Sequence, residues 1–171
     1  MATHSSLSVE AQKAALYEVI RRFLNEQDVP GQVQEAAAVY HTPALFTDVI
    51  QLSNALDAGM PHALFAQIQA LTPFTEAEWA DILELSGKSL QRYRDTPAFR
   101  FKRTHSEKIF GLAEVSYHAL DFFGSNDAYT AWLHAPCFAL GSQKPLHLLK
   151  DSYGKALVLA ELHRMSHGIF V

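Results

Sequence analysis

Apolar residues recur along this chain at intervals of three and four, and glycine and proline cut the runs into helix-sized lengths. That spacing decides the fold class, because a strand would need alternation at intervals of two. Leu16, Ile20, Phe23 and Leu24 follow it behind Ser8, whose hydroxyl can cap the free amides of a helix start, so a helix is predicted from Val9 to about Asn25. Pro30 and Gly31 stop it, and a short helical stretch is expected from Gln32 to Tyr40. Thr42 before Pro43 opens the next helix, through Leu45, Val49, Leu52 and Leu56 to Gly59. Pro61 opens another, carrying Leu64, Phe65, Ile68 and Leu71.

The second half repeats the logic. Thr75 and Glu78 form a capping box before Trp79, Ile82 and Leu83, and Ser86 caps a short helix with Leu90 and Tyr93 turned inward. A long helix is predicted over Thr104–Phe123, ending at Gly124, and another over Asn126–His134. After a loop with Pro136, Gly141 and Pro145, residues Leu146 to Leu149 form a turn. Asp151 then caps a final helix, Ser152 to His167, ended by Gly168. The fold class is all-α.

At 171 residues, 49% hydrophobic and 19% charged, the chain can bury a sizeable core and is not a disordered polymer. Cys137 is its single cysteine, which leaves no disulfide within the chain and fits a reducing compartment. No apolar run approaches the roughly 20 residues that span a bilayer. The start, MATHSSLSVEAQK, has no basic segment followed by an apolar one, so no signal peptide is expected. The expected location is the cytoplasm.

The net charge of −4 argues against a general nucleic-acid binder, but its distribution is uneven. Between Lys88 and Lys108 stand seven basic and two acidic residues, a window of +5 in a chain that is otherwise −9. An overlapping stretch, TEAEWADILELSGKSLQRYRD from Thr75 to Asp95, reads as two short helices joined by a tight turn, with Ala80 where they must approach closely. This is the layout of a helix-turn-helix, whose second helix enters the major groove of DNA. On that helix Lys88, Ser89, Gln91 and Arg92 lie on or near the exposed face and can read base edges. Arg94, Arg100, Lys102 and Arg103 would meet phosphates, which gives register and salt sensitivity rather than sequence choice. A solvated basic loop on an ordinary helical pair is the competing reading.

The last stretch, FGSNDAYTAWLHAPCFALGSQKPLHLLKDSYGKALVLAELHRMSHGIFV, is the most specific. It carries Phe123-Gly124, Trp132-Leu133, Pro136, Ala139-Leu140-Gly141, Pro145-Leu146, Gly154, and a closing helix from Leu162 through Arg164 to Gly168. In order and spacing this resembles the toxin-binding region of the Xre/MbcA/ParS antitoxins. Upstream, DAGMPHALFAQIQAL and SGKSLQRYR resemble the same family's divergent helix-turn-helix, so the resemblance spans roughly residues 49–171. Ser142 stands where a second glycine is common, Lys150-Asp151 replace a usual threonine, and Lys88-Ser89 replace a frequent arginine-threonine.

The resemblance implies a partner, a RES-domain toxin that degrades NAD and is held inactive by this chain's C-terminal end at its active-site entrance. On the residues alone, the apolar tail Ile169-Phe170-Val171 reads as folding back on its own core. The resemblance instead makes Arg164, His167, Gly168, Ile169, Phe170 and Val171 the toxin contacts, and implies a DNA-binding repressor of its own operon acting as a dimer or higher assembly. The implied division is a helical extension over residues 1–45, a helix-turn-helix domain over 46–103 and a toxin-binding domain over 104–171. The alternative is a free-standing helix-turn-helix regulator whose C-terminal region only oligomerises.

Nine histidines raise the question of a metal. His163 and His167 stand four apart on one helix, but HRMSH lacks the glutamate of the zinc-protease motif and supplies no third ligand. There is no triad signature and no glycine-rich phosphate loop, so neither metal, cofactor nor catalytic residue is expected.

Overall fold

The computed structural model describes residues 8–25 and 49–168, and all the regular structure among them is helical. The helices are α1 (Val9–Asn25), α2 (Val49–Ala58), α3 (His62–Leu71), α4 (Glu76–Ile82), α5 (Gly87–Arg94), α6 (Arg103–Phe123), α7 (Asn126–His134), α8 (Pro145–Leu148) and α9 (Ser152–Ser166). A 3₁₀ turn, Phe138–Leu140, links α7 to α8. The expected stretch Gln32–Tyr40 and the Thr42-Pro43 start lie outside the described residues.

The predicted ends hold to within a residue or two because their caps are local chemistry. The Ser8 hydroxyl accepts from the Ala11 amide at 3.3 Å, and the Thr75 hydroxyl from Glu78 at 3.2 Å, while the Glu78 carboxylate takes the Thr75 amide at 2.7 Å. α6 begins one residue earlier than predicted, at Arg103, with Lys102 in the cap position. α9 ends one residue earlier, with His167 as its cap, and the predicted turn after Pro145 is a single helical turn.

α6 is the hub, packing against α1, α2, α3, α7 and α9. Its buried residues, from Ser106 through Ile109, Phe110, Leu112 and Val115 to Leu120, occupy nearly every side of the helix, as burial all round requires. One hydrophobic cluster therefore runs from Leu16 of α1 to Leu162 of α9. Gln12 of α1 closes the top of this core without leaving a polar group stranded. Its side-chain nitrogen donates to Leu71 O at 2.7 Å and to Asn126 Oδ1 at 3.1 Å, and Asn126 donates back to Gln12 at 3.0 Å.

Candidate functional site

The two predicted interaction regions sit at different places on this body. In the first, α4 and α5 form the tight pair that the sequence suggests, with Leu85 N bonded to Ala80 O at 2.9 Å across the turn. Ser86 caps α5 by accepting from the Ser89 amide at 3.1 Å. Leu90 is buried and Tyr93 stacks on Phe99 with ring centroids 4.0 Å apart, which pins α5 to the aromatic core. Helical spacing then puts Lys88, Gln91 and Arg92 on the face opposite Leu90, and all three are exposed. Ser89 is half-buried, its hydroxyl 3.0 Å from that of Ser86. Arg94 and Lys102 are exposed.

Arg100 and Arg103 are exposed but already engaged. Arg100 Nε donates to the carbonyls of Ala58 and Gly59, both at 3.0 Å, and Arg103 pairs with the Asp57 carboxylate and reaches Ser53 O at 3.3 Å. Lys108, counted in the basic window, is a clamp as well. Its ammonium bonds Ile82 O at 2.9 Å and the Glu84 carboxylate at 2.6 Å, tying α6 to the end of α4. That hydrogen bond holds Glu84 below the usual carboxylate range. The structure thus divides the basic window into an outward group led by Lys88, Gln91, Arg92 and Lys102, and three cations that also hold helices together.

The second region is built on the crossing of α6, α8 and α9. Asp151 caps α9 through one carboxylate oxygen, which accepts from Tyr153 N at 3.0 Å and Gly154 N at 2.9 Å. A β-carbon on Gly154 would stand 2.0 Å from the Leu148 carbonyl oxygen, so only glycine lets α9 pass this close to α8. Ahead of it, Cys137 N bonds Gln143 O at 2.9 Å across a loop in which Gly141 has φ of 68° and Ser142 of 60°. A left-handed backbone at Ser142 is the physical reason a second glycine suits that position. Phe123, Tyr129 and Trp132 pack face to face or tilted behind the loop, and Leu133 and Leu140 are buried.

Along α9, Gly154, Val158, Glu161 and Leu162 face the core. Arg164 folds back to pair with the Glu161 carboxylate. His167 Nδ1 donates to the His163 carbonyl at 2.7 Å, so the four-residue spacing that suggested a metal instead closes the helix end. Gly168 takes a left-handed φ of 70°, its amide bonded to Met165 O at 3.0 Å. Among the residues expected to contact a toxin, Ile169, Phe170 and Val171 lie outside the described residues. His118 of α6 meets His163 edge-on at 4.9 Å, and burial, helped by that neighbour, pushes it down to about 4.

The outward face of α9 was not singled out by sequence reasoning. Tyr153, Ala156, Leu157 and Ala160 recur there at three- and four-residue spacing and all are exposed, with Tyr153 at 85% and Leu157 at 56%. A helix at a protein surface ordinarily turns its charges to water. Here the outward face carries none until His163 and Arg164.

Residues 118–168 match the family model described as the antitoxin Xre/MbcA/ParS C-terminal toxin-binding domain. The chain's C-terminal region is similar to this antitoxin domain. No curated protein matches the chain. The Xre/MbcA/ParS match opens at His118 in α6, takes in the α8–α9 joint built on Gly154, and closes at Gly168, the glycine that ends α9. The matched family is described as toxin-binding, which supports a toxin as partner. Among the described residues no helix is long and apolar enough to cross a membrane.

Proposed function

We propose that this chain is a non-enzymatic antitoxin that neutralises a RES-domain, NAD-degrading toxin by seating its C-terminal end at the toxin's active-site entrance. The single observation that carries the reading is the toxin-binding domain match over residues 118–168, which stops at the exposed Gly168, two residues past the end of α9. The residues beyond it, Ile169, Phe170 and Val171, are apolar, and a large aromatic such as Phe170 is the kind of side chain that dominates binding energy when buried in a partner. Arg164 and His167 flank that end. We further propose that the α4–α5 pair binds operator DNA through Lys88, Ser89, Gln91 and Arg92, with Arg94, Arg100, Lys102 and Arg103 toward the phosphates, in a cytoplasmic homodimer or higher assembly. The proposed division is an extension over residues 1–45, a DNA-binding unit over 46–103 and a toxin-binding unit over 104–171.

The test is co-expression of the chain with a RES-domain toxin, reading growth and cellular NAD. The parent chain should protect. Removal of residues 168–171 should leave the fold and DNA binding intact and abolish protection, and Phe170→Ala should weaken toxin binding by about 2–4 kcal/mol. Full protection by the truncated chain, with a sharply lower melting temperature, would assign the tail to this protein's own core and refute the occlusion reading.

A further inference from the structure

A helix that is apolar on both faces is normally covered on both. α9 buries Gly154, Val158 and Leu162 against its own domain, yet its opposite face presents Tyr153, Ala156, Leu157 and Ala160 to water. Single exposed apolar residues are ordinary on any surface. Two large ones four apart, with Ala156 and Ala160 on the same face, form a continuous ridge, the spacing by which a helix lies in an apolar groove of a partner. Phe138 is 80% exposed on the 3₁₀ turn that packs against α9, so the three exposed large apolar side chains described within residues 118–168 all belong to this helix and its immediate support.

We propose that the Tyr153–Leu157 ridge of α9 is a second docking surface for the toxin, engaged in an apolar groove outside the toxin's active site. The inference rests on the proposed function and extends it: the tail occludes, while the ridge holds and aligns the helix that delivers the tail. Two observations select the toxin as occupant. The ridge lies wholly inside the matched toxin-binding domain, and it runs along the same helix that ends at Gly168. Its size argues against a second copy of this chain as the sole occupant. A 15-residue helix is about 22 Å long, so one face offers on the order of 200 Å², against the roughly 800 Å² per partner of a stable interface. The ridge suffices only as part of a larger contact, which the tail beyond Gly168 would continue.

The experiment measures affinity of the full chain for the RES-domain toxin that it protects against in co-expression, by calorimetry, alongside sedimentation of the chain alone. Tyr153→Ser with Leu157→Ser should weaken toxin binding by at least about 30-fold while the melting temperature stays within a few degrees, since neither side chain packs in the core. Tyr153→Phe with Leu157→Met keeps the apolar ridge and should bind as the parent does. If the serine pair binds like the parent while removal of residues 168–171 abolishes binding, the ridge is not a docking surface and the proposed function stands. If the parent chain itself fails to bind the toxin, the proposed function falls and takes this inference with it. A serine pair that loses self-association but not toxin affinity, or that melts far below the parent, would also overturn it, by assigning the ridge to a copy–copy contact or to the core.

Discussion

Replacing Gly154 with alanine adds one methyl group, and its position makes the cost calculable. That β-carbon would lie 2.0 Å from Leu148 O and 2.8 Å from Leu148 C, both backbone atoms that cannot swing aside. Restoring even a tight 3.4 Å contact to the oxygen requires α8 and α9 to part by about 1.4 Å, which loosens Leu149 and Val158 in the core. Overpacking of this severity costs about 3 kcal/mol, and alanine returns about 1 kcal/mol in helix propensity, leaving about 2 kcal/mol lost. For a chain of this size that lowers the melting temperature by about 4–8 °C, read from helical circular dichroism. Gly87→Ala is the internal control. Gly87 opens α5 with nothing within 4 Å of the added carbon, so alanine there should be neutral or stabilising by up to about 1 kcal/mol. Equal melting of the two variants would refute the α8–α9 contact as the reason for glycine.

Thr75→Ala removes the cap hydroxyl of α4 and should cost about 1 kcal/mol in urea unfolding, with Thr75→Ser close to the parent. His118 is held neutral by burial, its value lowered to about 4, whereas unfolded histidine protonates near 6.5. Between those values the unfolded chain binds the extra proton, so stability contributed by His118 is full above about pH 6.5 and drains away as pH falls toward 4. His118→Gln should flatten that part of the unfolding profile relative to the parent. On DNA, Arg92→Ala should relax base preference by about 1–3 kcal/mol at one position, whereas Lys102→Ala should weaken all sequences alike and reduce the salt slope by about one unit; parent-like binding by both would remove DNA recognition from the α4–α5 pair.

The elements legible in the sequence are those whose causes lie within a few residues. Thr75 with Glu78, Ser86 and Asp151 announce helix starts because a cap and its amides are neighbours in the chain. Trp79, Ile82 and Leu90 are placed inward by period alone. What sequence period does not reveal is pairing at a distance. Arg100 and Arg103 look like free phosphate contacts until the chain brings Ala58, Gly59 and Asp57 to them, more than 40 residues away, and Lys108 finds Ile82 O, 26 residues away, only once the chain is folded. Glu84 and Ser142 take left-handed backbones, at φ of 55° and 60°, that no glycine advertises. The ridge on α9 is hidden for the opposite reason. A helix apolar on both sides gives no direction, and only the burial of Gly154, Val158 and Leu162 shows which side is left open.

The central claim is that this chain silences a RES-domain toxin, and the most direct measurement is NAD consumption by that purified toxin while the chain is titrated in. On this account consumption falls to background at a fixed ratio of chain to toxin, and the chain lacking residues 168–171 fails to suppress it at any concentration. NAD consumption that continues undiminished in saturating parent chain would contradict the account.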